Sequence, residues 1–333
     1  QCLAVVRPTT VQDVSRIVSL CCGSGVGIVP QGGHTGLVGG AQRQHPDCIV
    51  LSLSLLSSIR EVDRDNMTAI VEGGVVLQHL QTALSEYDLE FPVSIGAQGT
   101  AQIGGLISTN AGGVQVVRHG MTGAHVQGLE LVLADGQIVS SMSGLYKDNR
   151  GPDPLRIAVG GEGAFGIVTA ACLRLTPRPS NTATAYVGCV DFDAALALFR
   201  NIRAEAYEFL TGFEVMSAAC LPLAHLVDPD LTPPFEAPVH VLVRLGAVAK
   251  LPLEEMLETL LTGAMEKRLS QDAVLAQSEG QAARLWALRE GLVEGHSKRG
   301  YHVRSDVSVR LGDVPCLVAR LEAMLAEEFP AWI

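Results

Sequence analysis

Hydrophobic and polar residues follow different patterns in the two halves of the chain. In the first half, short apolar runs alternate with glycine-rich loops, and apolar residues fall at helical spacing over residues 11–22 and 75–87. A polar connection occupies residues 54–68. The pattern predicts strands at residues 3–8, 23–30, 48–53, 69–71 and 167–175, and a hairpin over residues 129–139 that turns at Asp135-Gly136.

After Pro179 glycine becomes sparse, and strands alternate with longer amphipathic helices. The predicted strands are residues 184–190, a segment near Phe213, and residues 239–245, 273–277 and 302–309; the predicted helices are residues 193–204, 253–267, 281–299 and 314–328. This order indicates an α+β domain built from repeated β-α-β units. We therefore expect two domains, residues 1–178 and 179–333.

Charge and composition exclude several classes of partner. The formal net charge is −11, which argues against nucleic acid and anionic lipid as ligands. No apolar run approaches the roughly 18 residues that a membrane span requires, so we expect a soluble protein. The eight cysteines are scattered and form no metal-binding pattern, which favours reduced thiols in the cytoplasm, or in the mitochondrial matrix of a eukaryote.

Glycine is concentrated in three loops of the first half, at residues 31–41, 96–123 and 160–166. The first contains five glycines in the eleven residues Gln-Gly-Gly-His-Thr-Gly-Leu-Val-Gly-Gly-Ala. Such loops allow close approach of the backbone, and successive amides can hold a pyrophosphate without a positive side chain. Three loops together favour one large phosphate-containing ligand; the alternative is three tight turns of an α/β fold.

The third loop also matches the dinucleotide fingerprint G-x-G-x-x-G, as Gly161-Glu-Gly-Ala-Phe-Gly166. In a nicotinamide-binding Rossmann domain this fingerprint opens a helix. Here the following residues are rich in β-branched side chains and predict a strand. The nicotinamide interpretation is therefore rejected.

The chain resembles the FAD-linked oxidoreductases of the vanillyl-alcohol-oxidase type, in the branch of D-2-hydroxyglutarate, D-lactate and glycolate dehydrogenases. The motifs that carry the resemblance are Pro30-Gln-Gly-Gly-His-Thr-Gly-Leu-Val-Gly-Gly40, Phe91-Pro92, Gly99-Thr-Ala-Gln-Ile-Gly-Gly105, Ser108-Thr-Asn-Ala-Gly-Gly113, Gly161-Glu-Gly-x-x-Gly-Ile-Val-Thr169 and Trp286-x-Leu-Arg-Glu290. The resemblance implies an α+β flavoprotein with a two-subdomain FAD-binding domain of the PCMH type, followed by a ferredoxin-like substrate cap.

The resemblance also implies which residues bind FAD. The pyrophosphate loop would be Gln31, Gly32, Gly33, His34, Thr35 and Gly36; the flavin and ribityl surroundings would be Pro92, Gly99, Thr100, Gly104, Gly105, Ser108 and Asn110, with Glu162, Gly166 and Ile167 near the cofactor. Some relatives attach FAD covalently through a histidine in this loop. For His34 we expect non-covalent binding with a local hydrogen-bonding role, since attachment is unusual in this branch.

In the cap, Arg289 and Arg304 align with the basic residues that grip the substrate carboxylates in the enzymes that the chain resembles. A planar guanidinium can meet a carboxylate with two parallel hydrogen bonds. The alternative is that both are surface charges neutralised by neighbours such as Glu290 and Asp306. The family usually has lysine at position 304, so the identity of the substrate stays open.

The family's Gly-His-x-Gly-Asp-Gly-Asn-x-His segment and later Glu-His pair do not occur before Ile333. In the family they supply the ligands of a divalent metal such as zinc and the general base. We therefore expect no metal site in this chain and leave the catalytic residues unassigned. Because the chain opens on Gln1 and ends at Ile333 directly after a predicted helix, we expect truncation at both ends, with the C-terminal part of the cap missing.

The resemblance predicts a dehydrogenase that oxidises a small anionic D-2-hydroxy acid to the 2-oxo acid by hydride transfer to flavin N5. No haem or iron–sulfur motif is visible, so the electrons would pass to an external acceptor, such as an electron-transfer protein, a quinone or a cytochrome. A homodimer is left open. The alternative is a non-catalytic FAD-binding subunit or fragment.

Overall fold

The computed structural model describes residues 2–42 and 46–329 of the chain. Gln1 and the terminal residues 330–333, which bear on the expected truncation, lie outside the described residues. The chain divides into two units, Gln1–Arg178 and Pro179–Ile333. Within the described ranges, no helix combines the length and the apolar character needed to cross a lipid bilayer.

The first unit contains three sheets and several short helices. Its elements are β1 (Ala4–Val6), α1 (Val11–Ser24), β2 (Gly27–Gln31), β3 (Cys48–Ser52), β4 (Ile59–Asp63), β5 (Thr68–Glu72), α2 (Leu77–Ser85), β6 (Leu89–Glu90), α3 (Ile103–Ser108), α4 (Val116–His119), β7 (Val126–Val132), β8 (Ile138–Ser141), β9 (Ile167–Arg174) and β10 (Thr176–Pro177). The short strands β6 and β10 pair with each other.

The first sheet is parallel, with strand order β1-β3-β2. Helix α1 begins after Thr10, whose hydroxyl accepts a hydrogen bond from the Asp13 amide at 3.1 Å, and ends at Gly25, whose φ is 66°. Its buried face includes Val14 and Val18, which pack in one cluster with Leu51. Because α1 extends to Ser24, strand β2 starts later than predicted. It is also partly exposed rather than buried.

The second sheet is antiparallel, with strand order β4-β5-β9-β7-β8. The predicted hairpin at Asp135-Gly136 is confirmed, since it joins β7 to β8. Central strand β9 follows the third glycine loop directly, so the sequence-based rejection of a Rossmann helix is also confirmed. The edge strand β4 was missed because its charged residues gave the segment the appearance of a polar connection.

The main core of this unit lies between the second sheet and helices α2 and α3. Leu77, Leu80 and Leu84 of α2 are fully buried. Helix α3 lies inside the second glycine-rich stretch, for which the sequence predicts a loop. Ile103 and Ile107 are buried one helical turn apart, which explains why this short segment folds as a helix.

The second unit is a four-stranded antiparallel sheet with helices. Its elements are β11 (Asn181–Cys189), α5 (Phe192–Ala206), β12 (Leu210–Ser217), α6 (Leu221–Val227), β13 (Val239–Ala247), α7 (Leu253–Glu266), β14 (Asp272–Leu275), α8 (Glu279–Arg299) and α9 (Val314–Glu328). The strand order β12-β13-β11-β14, with a helix after β11 and another after β13, is that of the ferredoxin-like fold. The predicted α+β class and ferredoxin-like cap are therefore confirmed.

The two faces of this sheet are covered by different helices. Phe213 of β12 meets Phe199 of α5 with ring centroids 4.9 Å apart. On the opposite face, the Arg244 guanidinium of β13 lies 4.9 Å from the ring centroid of Trp286 on α8. Helix α8 thus covers the face from which polar side chains project.

The predicted strand at residues 302–309 is wrong. The structure gives this segment no regular secondary structure, and Val303 and Val307 are 94% and 64% exposed. Alternating β-branched residues favour a strand only where a neighbouring strand accepts the hydrogen bonds. Within the described part of the chain, no strand pairs with these residues.

Candidate functional site

The first and second glycine loops touch through their backbones. A Cβ atom added to Gly33 would lie 1.9 Å from the carbonyl oxygen of Thr100. At the preceding position, a Cβ on Gly32 would be 3.5 Å from Gln102 and 3.8 Å from Gly105. The residue type at position 33 is therefore fixed by packing, because only glycine permits this approach.

The third glycine loop joins the same cluster. The Glu162 amide donates a hydrogen bond to the Ser108 carbonyl at 2.8 Å, and the Gly160 amide donates to the Ile107 carbonyl at 3.0 Å. A Cβ on Gly40 would be 3.1 Å from the Glu162 carboxylate. All three glycine-rich loops thus meet within the first unit.

Asn110 organises the centre of this cluster. Its φ is 47°, in the left-handed region that asparagine tolerates better than most residues. Its side-chain Oδ1 accepts a hydrogen bond from the Gly123 amide at 2.8 Å. The Asn110 side chain therefore joins the middle of the second loop to its last residue, shortly before β7.

The sequence-predicted FAD residues all lie in the first unit, at different depths. Buried are Pro92, Gly104 and Ile167; partly buried are Gln31, Gly32, Gly33, Thr35, Gly105, Ser108, Asn110 and Gly166; exposed are His34, Gly36, Gly99, Thr100 and Glu162. The predicted cofactor residues therefore range from buried to exposed within the first unit.

One residue of this cluster was missed by the sequence analysis. Gln102 is 8% exposed, and its buried side-chain oxygen has no hydrogen-bond partner among the described residues. It lies beside Gly32, at the junction of the first two loops. A buried amide oxygen without a partner is costly unless a ligand or water donates to it. The only sequence signal was its place in the Gly99–Gly105 motif.

His34 is exposed and has a φ of 54°. Its Nδ1 lies 3.3 Å from the side-chain nitrogen of Gln31, whose amide also donates to the Ala41 carbonyl at 3.4 Å. The Gln31 side-chain nitrogen is a donor, so His34 Nδ1 is the acceptor of this hydrogen bond. His34 therefore takes part in the hydrogen bonding of its own loop.

In the second unit, Arg289 does not pair with the neighbouring Glu290. Its Nε donates to Glu214 Oε2 of β12 at 2.7 Å. Among the described residues, the Arg304 side chain makes one long hydrogen bond, 3.5 Å from its Nη2 to the Val293 carbonyl, and no ion pair with Asp306. Glu290 and Asp306 are therefore not the acids that pair with these arginines, and Arg289 is paired with Glu214 instead.

A metal ion is held in a protein by several His, Cys, Asp or Glu side chains that lie close together. In residues 2–42 and 46–329, no group of three or more His, Cys, Asp and Glu side chains is arranged to hold an ion. The described residues therefore do not fit the metal of the resembled enzymes, and no chemical step is assigned to one.

Comparisons with known proteins agree with this geometry. Residues 2–141 match a family model described as an FAD binding domain, and residues 178–332 match the C-terminal domain of FAD linked oxidases. A structure of alkyldihydroxyacetonephosphate synthase superimposes with a TM-score of 0.73 at 16% identity, over 98% of this chain and 66% of that one. At this identity the likeness shows the fold alone.

Curated relatives are closer in sequence. D-2-hydroxyglutarate dehydrogenase of Xanthomonas citri pv. viticola is 33% identical over 338 residues, which cover 98% of this chain and 68% of that protein. The mitochondrial D-2-hydroxyglutarate dehydrogenase of Bos taurus is 35% identical over 321 residues, covering 96% and 59% respectively. The chain spans about three fifths of the length of the bovine, rat and zebrafish relatives.

The two matched domain models and these relatives place the chain among the FAD-linked oxidoreductases of the vanillyl-alcohol-oxidase type. The resemblance inferred from the motifs is confirmed. Within this class, the chain belongs to the family that contains the D-2-hydroxyglutarate and D-lactate dehydrogenases.

Proposed function

We propose that the three glycine loops of the first unit hold FAD without a covalent bond. Residues 31–36 supply backbone amides for the pyrophosphate, and residues 99–110 with 162–167 surround the flavin and ribityl groups. The observation that carries this proposal is the backbone contact between Gly33 and Thr100, beside the unpartnered Gln102 oxygen. Backbone donors suit a chain of net charge −11, because they attract phosphate without basic side chains.

Acid precipitation of the FAD-loaded protein is expected to release its flavin completely into the supernatant. The reason is that backbone groups of the loops, rather than the His34 ring, hold the cofactor. His34→Ala should retain FAD with a dissociation constant within about tenfold of wild type, the loss of roughly one hydrogen bond. Flavin that precipitates with the wild-type chain, but not with His34→Ala, would show the linkage to be covalent.

We further propose that the enzyme oxidises a D-2-hydroxy acid to the 2-oxo acid. Bound FAD supplies the hydride acceptor, its N5 atom, for the hydrogen that leaves C2. Arg289 binds the carboxylate and so orients C2, and Arg304 provides a second positive charge on the segment after α8. The proton of the C2 hydroxyl goes to a base that we assign to no described residue. Turnover would require an external acceptor for the two electrons taken from the substrate.

Anaerobic addition of D-2-hydroxyglutarate to the FAD-loaded protein is expected to bleach the visible flavin absorption. The L enantiomer is the matched control and should leave the spectrum oxidised. D-Lactate and glycolate, tested in the same way, report whether a second carboxylate is required. Dithionite verifies that the flavin can be reduced at all.

A second candidate function is an FAD-binding subunit without chemistry of its own. It is favoured by the absence of a metal-ligand group from the described residues. It predicts that dithionite bleaches the flavin spectrum, whereas D-2-hydroxyglutarate, D-lactate and glycolate all leave the spectrum unchanged. A chain that binds no FAD at all would contradict both candidates.

A further inference from the structure

An ion pair of the second unit joins β12 to α8, and the proposed function does not yet use its acidic partner. Glu214 Oε2 accepts from Arg289 Nε at 2.7 Å, between residues 75 apart in sequence. The two side chains are 24% and 30% exposed, so water reaches the pair only in part. The bond fixes the Arg289 side chain to the sheet as well as to its own helix.

We propose that Glu214 is a positioning residue that orients the Arg289 guanidinium for the carboxylate of the substrate. This inference rests on the proposed function of Arg289. A guanidinium carries five N–H donors in one plane. Glu214 uses the Nε edge, and the Nη1 and Nη2 atoms have no hydrogen-bond partner among the described residues. The Nη1 and Nη2 atoms are therefore left for two parallel hydrogen bonds to a substrate carboxylate.

The sheet register supports a role in orientation. Glu214 pairs with Leu242 of β13, which in turn pairs with Tyr186 of β11, so Glu214 belongs to a strand held by regular pairing with its neighbour. Arginine has a flexible side chain, and ordering it on ligand binding costs free energy. Because the Glu214 carboxylate, on a rigid strand, already orders the Arg289 side chain, less free energy is lost when the ligand binds.

Stability alone does not account for the pair. Partly exposed ion pairs contribute about 0–1 kcal/mol to folding. A negative charge beside an anion-binding arginine also weakens anion binding on Coulomb grounds. The two effects of Glu214 on a bound acid therefore have opposite signs: its charge repels the ligand, while its hydrogen bond prepares the arginine.

This opposition gives a test with a definite sign. The dissociation constant of 2-oxoglutarate, the 2-oxo acid that cannot donate a hydride, is measured by isothermal titration calorimetry on FAD-loaded protein. The variants are Glu214→Ala, Glu214→Gln, Arg289→Gln and the double variant Glu214→Ala/Arg289→Gln. Glu290→Gln is the matched control, because it removes the same charge from an exposed residue adjacent to Arg289.

Positioning predicts that Glu214→Ala raises the dissociation constant by about tenfold or more, the expected loss for a hydrogen bond to a charged group. Glu214→Gln keeps an acceptor of the same size, so it should stay within about threefold of wild type. If Glu214 acts only through Arg289, Glu214→Ala has no further effect in the Arg289→Gln background. Glu290→Gln should match wild type.

Unchanged or tighter binding in Glu214→Ala would overturn the inference, as would a full additional loss in the double variant. In either case wild type still binds 2-oxoglutarate and Arg289→Gln still loses it, so the proposed role of Arg289 survives. If wild type binds no 2-oxoglutarate and D-2-hydroxyglutarate fails to reduce the flavin, both proposals fall together. Should Glu214→Ala not fold, a Glu214→Gln variant that binds like Arg289→Gln would overturn the hydrogen-bond argument.

Discussion

Gly33→Ala is expected to abolish FAD binding. The added Cβ would lie 1.9 Å from the Thr100 carbonyl oxygen and 2.7 Å from its carbon. Both are backbone atoms, so no side-chain rotation relieves the clash, and one of the two loops must move. Because both loops belong to the proposed cofactor site, we expect the dissociation constant for FAD to rise at least about 100-fold, or about 2.7 kcal/mol.

Gly39→Ala is the control for this prediction. Gly39 belongs to the same loop, but its added Cβ meets no atom within 4 Å. The ratio of visible flavin absorption to protein absorption after purification, followed by FAD titration of the apoprotein, measures both variants. Circular dichroism checks that each is folded. A folded Gly33→Ala protein with wild-type FAD affinity would contradict the contact between these loops.

The glycine loops show how far a sequence can predict a binding site. Glycine at position 33 is required by a contact with residue 100, and a clustered excess of glycine is visible without knowing that contact. The excess of glycine therefore marked three loops that the fold brings into contact. It did not predict that Gln102 buries an unpartnered oxygen at their junction, because burial of one polar atom leaves no pattern along the chain.

Regular elements were predicted where the local pattern alone is strong enough to indicate them. Helices α7 and α9 begin at the predicted residues, since long amphipathic stripes determine a helix largely by themselves. The segment at residues 302–309 has a strand-like pattern and no strand to pair with, while β4 has a charged sequence and a partner in β5. Strand formation depends on a neighbour that the local sequence does not identify.

The partner of Arg289 shows the same limit at the level of one side chain. Sequence proximity suggested Glu290, but successive helical residues point about 100° apart, so residue 290 faces away from its neighbour's contacts. Glu214, 75 residues earlier, is brought to Arg289 because α8 packs on the sheet face that carries it. The sequence motif singled out Arg289, but only the fold shows that Glu214 is its hydrogen-bond partner.

The second large effect is expected from Gly295→Ala, in the helix that carries Arg289. A Cβ on Gly295 would lie 2.0 Å from the Leu223 carbonyl oxygen and 2.5 Å from its carbon. One turn earlier, a Cβ on Gly291 would be 3.3 Å from Ala224, so α6 and α8 pack backbone to backbone along two turns. The substitution forces the helices apart, and we expect it to destabilise this unit by about 3 kcal/mol.

Gly280→Ala, in the first turn of the same helix, should have the opposite sign. Its nearest neighbour is the Ser278 hydroxyl at 4.0 Å, so the new methyl group enters open space. Alanine is favoured over glycine in a helix by about 0.8–1.0 kcal/mol, so this variant should unfold at a higher urea concentration than wild type, whereas Gly295→Ala should unfold at a lower one. Urea unfolding followed by circular dichroism, with limited proteolysis to locate the transition in residues 179–329, distinguishes the two. Equal midpoints for the two variants would contradict the close packing of α6 on α8, and with it the placement of the helix that presents Arg289.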